Sequence, residues 1–188
     1  GKLGFQIHPF CVQKLQQSSG YPGWLTTCFD YSDPHFKKLL LILKTVPRFD
    51  IAKILTKPLA QKITKELLID KDLAVVLIPI SASKKRKKKH GLNQSIVIAN
   101  AIEYNLSKKP KVVNTLYRTK ETKKQSSLSK KERLLNMKDV FAVKKTHQTL
   151  IKSADVVLIV DDVCTTGATL LHAKSVLDEF NKKPEFTF

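Results

Sequence analysis

The chain has 188 residues, 42% of them hydrophobic, the size of one domain with a core of its own and at most a small appendage. Its apolar runs, Leu39–Leu43, Ala74–Ile78 and Val156–Val160, fall far short of the roughly 20 residues that a membrane-crossing helix needs. The formal net charge of +18 is concentrated: residues 84–89 supply six positive charges, and residues 107–148 hold thirteen Lys and Arg against three acids.

That concentration fits a polyanionic partner (nucleic acid, a membrane surface or a multiply phosphorylated ligand) better than a uniformly lysine-rich solvated surface. Cys11, Cys28 and Cys164 are odd in number and widely spaced, so they offer no disulfide framework. A reducing, cytoplasmic compartment is the expectation.

Residues 1–30 read as a loop-rich appendage, with two of the three cysteines, the single Trp and the turn cluster Ser18–Gly23. Residues 31–188 read as the main domain. Asp33 can cap a helix over Pro34–Lys44, with Pro34 in its first turn and Phe36, Leu39, Leu40 and Leu43 on one face. Ile51, Ile54, Leu55, Leu59, Ile63 and Leu67 predict a second helix over 50–68, bent at Pro58. Ala74–Ile78 then reads as a strand buried on both faces and ended by Pro79, followed by a basic loop over 81–90.

Leu92, Ile96, Ala99, Ile102 and Leu106 mark another helix. Strands are predicted at Val112–Tyr117, Val140–Val143, Asp155–Val160 and Glu185–Phe188, with a last helix carrying Leu170, Ala173, Leu177 and Phe180. The polar stretch 118–138 is a long connection of the kind that serves function or moves. The order describes an α/β fold, a mostly parallel open sheet flanked by crossover helices.

The most informative string is Val156–Thr169. An apolar strand ends at Asp161 and Asp162, passes through Val163, Cys164, Thr165, Thr166, Gly167, Ala168 and Thr169, and opens a helix. Open α/β sheets bind ligands at the carboxyl ends of their strands. Backbone N–H groups at a helix start, with Thr hydroxyls beside them, form an anion site, and Gly167 permits close backbone approach. Two carboxylates just ahead of a phosphate cradle suit a sugar: they accept bonds from vicinal hydroxyls and can help to hold Mg²⁺ through water. A Walker loop does not fit, because no Lys follows the glycine, and three spaced glycines are lacking for a dinucleotide fingerprint.

Residues 160–169 resemble the phosphoribosyl-pyrophosphate (PRPP) motif of type I phosphoribosyltransferases. The resemblance narrows to the ComF family, which includes GntX-like proteins. It is carried by Ile78-Pro79-Ile80-Ser81, by His90-Gly91-Leu92-Asn93-Gln94 after the basic run, and by Leu116, Arg118, Thr122, Gln125, Leu128, Arg133, Asn136 and Phe141, with Tyr31 and Lys44 upstream. His90 and Leu92 stand where the family usually has Arg and Phe.

The resemblance implies a type I phosphoribosyltransferase-like fold. Asp161 and Asp162 would meet the ribose, Cys164–Thr169 would wrap the 5′-phosphate with Val163 in the same PRPP-binding string, and Ser81, Ala82, Ser83 and Lys84 would lie beside the pyrophosphate. A mobile flap over 118–133 would have Arg118 and Gln125 near its base and Arg133 at its end. It further implies N-terminal zinc binding, for which His8 and Cys11 have suitable spacing and Cys28 is one candidate further ligand. Cys164 reads as a small loop residue rather than a nucleophile.

Lys84, Lys85, Arg86, Lys87, Lys88 and Lys89 follow a strand end, so they share the rim of the PRPP loop. They would attract pyrophosphate or track the backbone of single-stranded DNA. The family implies a role in DNA uptake (natural transformation), with single-stranded DNA as partner, inside the cell and close to inner-membrane uptake machinery. An active salvage phosphoribosyltransferase and a PRPP sensor without turnover are the alternatives. No acceptor site and no catalytic residue can be read from the sequence.

Overall fold

In the computed structural model the described residues are 15–16, 25–46, 48–68, 72–82, 91, 93–119, 140–180 and 185–187, with 67, 68 and 185–187 described for backbone alone. Helix α1 spans Pro34–Thr45. The Asp33 carboxylate accepts from the His35 and Phe36 backbone N–H groups at 2.7 and 3.1 Å, as the cap pattern predicts. Helix α2 spans Phe49–Ile63 and runs through Pro58. It continues as a π-helical turn over Thr64–Leu68, so the expected single helix changes its winding near its end.

Strand β1 covers Val75–Pro79, followed by helix α3 over Gln94–Asn105 and strand β2 over Lys111–Val112. Strands β3 (Leu116–Arg118) and β4 (Phe141–Val143) pair antiparallel. A 3-10 turn at Lys145–His147 and helix α4 (Gln148–Ser153) lead to strand β5 (Val156–Val160). Helix α5 (Ala168–Asp178) and strand β6 (Glu185–Thr187) follow. The main sheet has the order β2–β1–β5–β6, and every neighbouring pair in it is parallel.

β1 and β5 are buried along their whole length, which is why they read as continuous apolar runs. Their alternating side chains divide between two cores. Val76, Ile78, Val157 and Ile159 pack with Leu170, Ala173 and Leu177 of α5 and with Leu116, Phe141 and Val143 of the β3–β4 pair. Val75, Leu77, Val156 and Leu158 pack with Ala60 and Ile63 of α2 and with Ile98, Ala99 and Ile102 of α3. A third cluster joins α1 to α2 through Leu40, Leu43, Ile51 and Leu55. The result is a mixed α/β fold, a parallel sheet flanked by helices. No described helix is long and apolar enough to cross a membrane.

The predicted strand Val112–Tyr117 is divided: Val113 N–H donates to Leu77 O at 2.8 Å, closing the β1 ladder, and Thr115 N–H turns back to Val113 O at 2.9 Å. The chain thereby leaves the parallel sheet and pairs with β4 instead. The segment 145–153, for which the sequence pattern predicts no element, forms the 3-10 turn and α4, which are too short for a helical period to show and have no capping side chain.

At the carboxyl rim, Ile80 N–H donates to Val160 O at 2.8 Å, extending the register beyond Pro79, which has no N–H to give. Asn93 occupies the cap position of α3 without capping it. Its buried amide instead donates to Ile80 O at 2.8 Å, tying the end of β1 to the start of α3. Asn93→Ala should therefore lower unfolding stability by about 1–3 kcal/mol, the usual cost of stranding a buried partner. Urea unfolding measures this, and an unchanged midpoint would mean that the bond contributes nothing.

Candidate functional site

β5 delivers Asp161 and Asp162 to the carboxyl rim immediately after its last buried residue, Val160. The Asp161 Oδ1 accepts from Ser95 Oγ at 3.1 Å and from its neighbour's backbone, Asp162 N–H, at 2.9 Å. Asp162 turns the other way: its Oδ2 lies 3.4 Å from Lys44 Nζ, in the last turn of α1. The two side chains of that ion pair are 9% and 22% exposed, so solvent screens it less than a surface pair. Burial and then the adjacent Asp162 carboxylate push Asp161 up to about 7, while the bonds from Asp162 N–H and Ser95 Oγ pull it down.

The loop behind the acids changes character within four residues. Val163 and Cys164 are half-buried, and Thr165 and Thr166 are exposed. Gly167 is buried and adopts φ +73° and ψ −5°, a left-handed conformation that disfavours any side chain. Thr166 Oγ1 accepts from Ala168 N–H at a long 3.5 Å, at the very start of α5. Exposed hydroxyls, a side-chain-free hinge and helix-start N–H groups together make a place for an anion. Burial raises the Cys164 thiol, so the residue is not primed as a nucleophile.

Ser81 comes to the same rim but faces inward. Its buried hydroxyl donates to Leu116 O, and its carbonyl accepts from Arg118 Nε at 2.9 Å. Arg118 lies over the Phe141 ring, 5.0 Å from its centroid. Ser81 and Arg118 thus brace the β3–β4 pair against β1. Ala82 is half-buried beside them. Ser83, Lys84–Lys89, Gln125 and Arg133 lie outside the described residues, as do His8 and Cys11.

Cys28 lines a cavity of about 120 Å³ between residues 25–31, α1, α2 and the 160–164 loop, with Asp161 and Asp162 in its wall. Burial pushes the Cys28 thiol up to about 11, against the lowering effect of Lys62. Among the described residues no three His, Cys, Asp or Glu side chains gather as a metal cluster.

The structure adds residues to which sequence reading gave no role. Ser95 holds Asp161, Lys44 pairs with Asp162, and the buried Gln94 amide donates to Lys44 O at 3.3 Å. Asn93, Gln94 and Ser95 are consecutive, yet they fix the ends of β1, α1 and β5 respectively. Their contacts span 13 to 66 residues of sequence, so no local spacing announces them.

No protein-family model matches the chain. It is 32% identical over 143 residues to competence protein ComFC of Streptococcus pneumoniae. The match takes in 75% of this chain and 58% of that protein, so the chain spans less than two thirds of its relative's length. The identity supports the ComF resemblance carried by the motifs.

The environment of Asp161 sets a pH dependence. With its folded pKa raised from 3.8 to about 7, the folded state retains a proton that the unfolded state has already lost over that window. Its contribution is complete below pH 3.8 and is lost as pH rises through about 7, with a slope of at most about 1.4 kcal/mol per unit. Asp161→Asn can accept the same two hydrogen bonds and has no proton to lose. Its stability advantage over wild type should grow from pH 5 to 7 and level off above, in urea unfolding at each pH. Parallel curves for the two proteins would contradict the assignment.

Proposed function

We propose that this chain is a ComF-family protein on the type I phosphoribosyltransferase plan, which binds PRPP with Mg²⁺ at the carboxyl end of β5. We further propose that it handles single-stranded DNA in the cytoplasm during natural transformation, near the uptake machinery of the inner membrane. The observation that carries the ligand reading is the juxtaposition at one rim of a braced Asp161–Asp162 pair and a Gly167-hinged threonine loop opening α5. The role in competence draws on the 32% identity to ComFC and on the +18 charge.

The residues suit the ligand. Carboxylate oxygens are the hard donors that Mg²⁺ prefers, directly or through water. Asp161 and Asp162 would accept from the ribose hydroxyls. Thr165, Thr166 and the N–H groups opening α5 would hold the 5′-phosphate, with Gly167 leaving room for it. Bound Mg²⁺ would supply positive charge to the pyrophosphate. The protein's own part would be positional and electrostatic.

Calorimetry should show PRPP binding in the presence of Mg²⁺ to wild type, with at least tenfold weakening in Asp161→Ala/Asp162→Ala, the equivalent of about 1.4 kcal/mol. Equal affinities would remove the site assignment. Product analysis of the same mixtures with a panel of bases separates the functions: pyrophosphate release favours a salvage transferase, and binding without release favours a sensor or a competence factor.

The DNA arm is read from salt. Affinity for a single-stranded oligonucleotide should fall steeply with salt, by about 0.7 in the log–log slope for each phosphate contacted. Replacing Lys84–Lys89 (the lysines and Arg86) by Gln should make that slope shallower. No measurable binding at low salt would leave the DNA role without a physical basis.

A further inference from the structure

Lys44 is held at both ends. Its carbonyl accepts from the buried Gln94 amide at 3.3 Å, and its ammonium lies 3.4 Å from Asp162 Oδ2. It stands in the last turn of α1, where the helix dipole favours a cation. The acid it faces is 9% exposed in its side chain and sits directly beside a second carboxylate that Ser95 and the Asp162 N–H hold in place. Two neighbouring carboxylates repel each other, and partial burial makes the repulsion count for more.

We propose that Lys44 is a positioning residue whose ammonium is the built-in counter-cation of Asp162, and that a divalent cation competes with it for that carboxylate. The inference rests on the site reading above for the ligand that brings the cation, and it assigns Lys44 a role in controlling entry. With the ammonium in place the acidic pair is partly neutralised, and it attracts a bare divalent cation weakly. A cation accompanied by an anionic ligand gains from the threonine loop as well, and can displace the ammonium.

A lysine suits this exchange. Its charge is a point on a flexible stem, without the fixed fork of an arginine. Gln94 holds the main chain of residue 44, not its side chain, so α1 keeps its place when the ammonium leaves.

The probe is Mn²⁺ alone, measured by calorimetry without PRPP. Lys44→Gln should bind Mn²⁺ roughly tenfold more tightly than wild type, the order expected for one charge removed at short range in a partly screened site. Lys44→Arg, which keeps the charge, should stay near wild type, and Asp161→Ala/Asp162→Ala should lose the site. A purely structural role for Lys44 would weaken binding or leave it unchanged, and either result, or no Mn²⁺ binding to wild type and Lys44→Gln alike, overturns the proposal.

If Lys44→Gln does not fold, wild type decides. Acetylation at Lys44, followed by mass spectrometry, should be slow without Mn²⁺ and should accelerate toward the rate in Asp162→Asn as Mn²⁺ is added. A rate indifferent to Mn²⁺ sinks the exchange. Failure of PRPP to bind wild type would refute the ligand reading and leave these cation measurements interpretable on their own.

Discussion

Two adjacent carboxylates at the end of a fully buried strand are the constraint around which the rest of this rim is arranged. Removing charge from water costs several kcal/mol per ion unless partners take the place of the solvent. Each acid here meets the cost differently. Asp161 gathers two donors and moves toward its protonated form, and Asp162 takes the ammonium of Lys44. The helices that supply those partners, α3 and α1, are packed for reasons of their own in the apolar clusters, yet they present polar first and last turns to this one place.

Parallel pairing brings the acids into useful company. The register aligns Pro79 with Val160, so the residues following each strand emerge side by side. On the β1 side these are Ile80 and Ser81, and on the β5 side the acids. Ser81 is spent on bracing, with its hydroxyl on Leu116 O and its carbonyl taken by Arg118. Among the described residues the exposed hydroxyls therefore lie on the β5 side, where the loop turns at Gly167 and exposes Thr165 and Thr166. The split follows from the topology. One strand end is covered by the β3–β4 pair, and the other feeds directly into a helix start.

Much of this was legible in the sequence because its causes are local. Fully buried parallel strands leave continuous apolar runs, as at 75–79 and 156–160. An Asp-Pro pair signals a helix start, and it does so at Asp33. The acid–threonine–glycine string showed the candidate cradle because its elements are adjacent in the chain. What stayed hidden depends on distance. The division of 112–117 is decided by Leu77 O and by β4, neither visible from within the segment. Ser95 lies 66 residues from Asp161, and Lys44 lies more than 100 residues from Asp162. Their partners exist only once the helices have packed.

The start of α3 converts that packing into precision. Successive residues entering a helix point in directions about 100° apart, so three neighbours cannot serve one contact and can serve three. Asn93 takes Ile80 O, Gln94 takes Lys44 O and Ser95 takes Asp161. The ends of two strands and one helix are thereby referred to a single rigid element rather than to loops. A site held this way loses little freedom when a ligand arrives, which is the condition for tight and selective binding. It also means that a change in how α1 packs on α3 must be felt at the acidic pair, because Lys44 of α1 is fastened at its backbone by Gln94 of α3 and at its side chain by Asp162 of that pair.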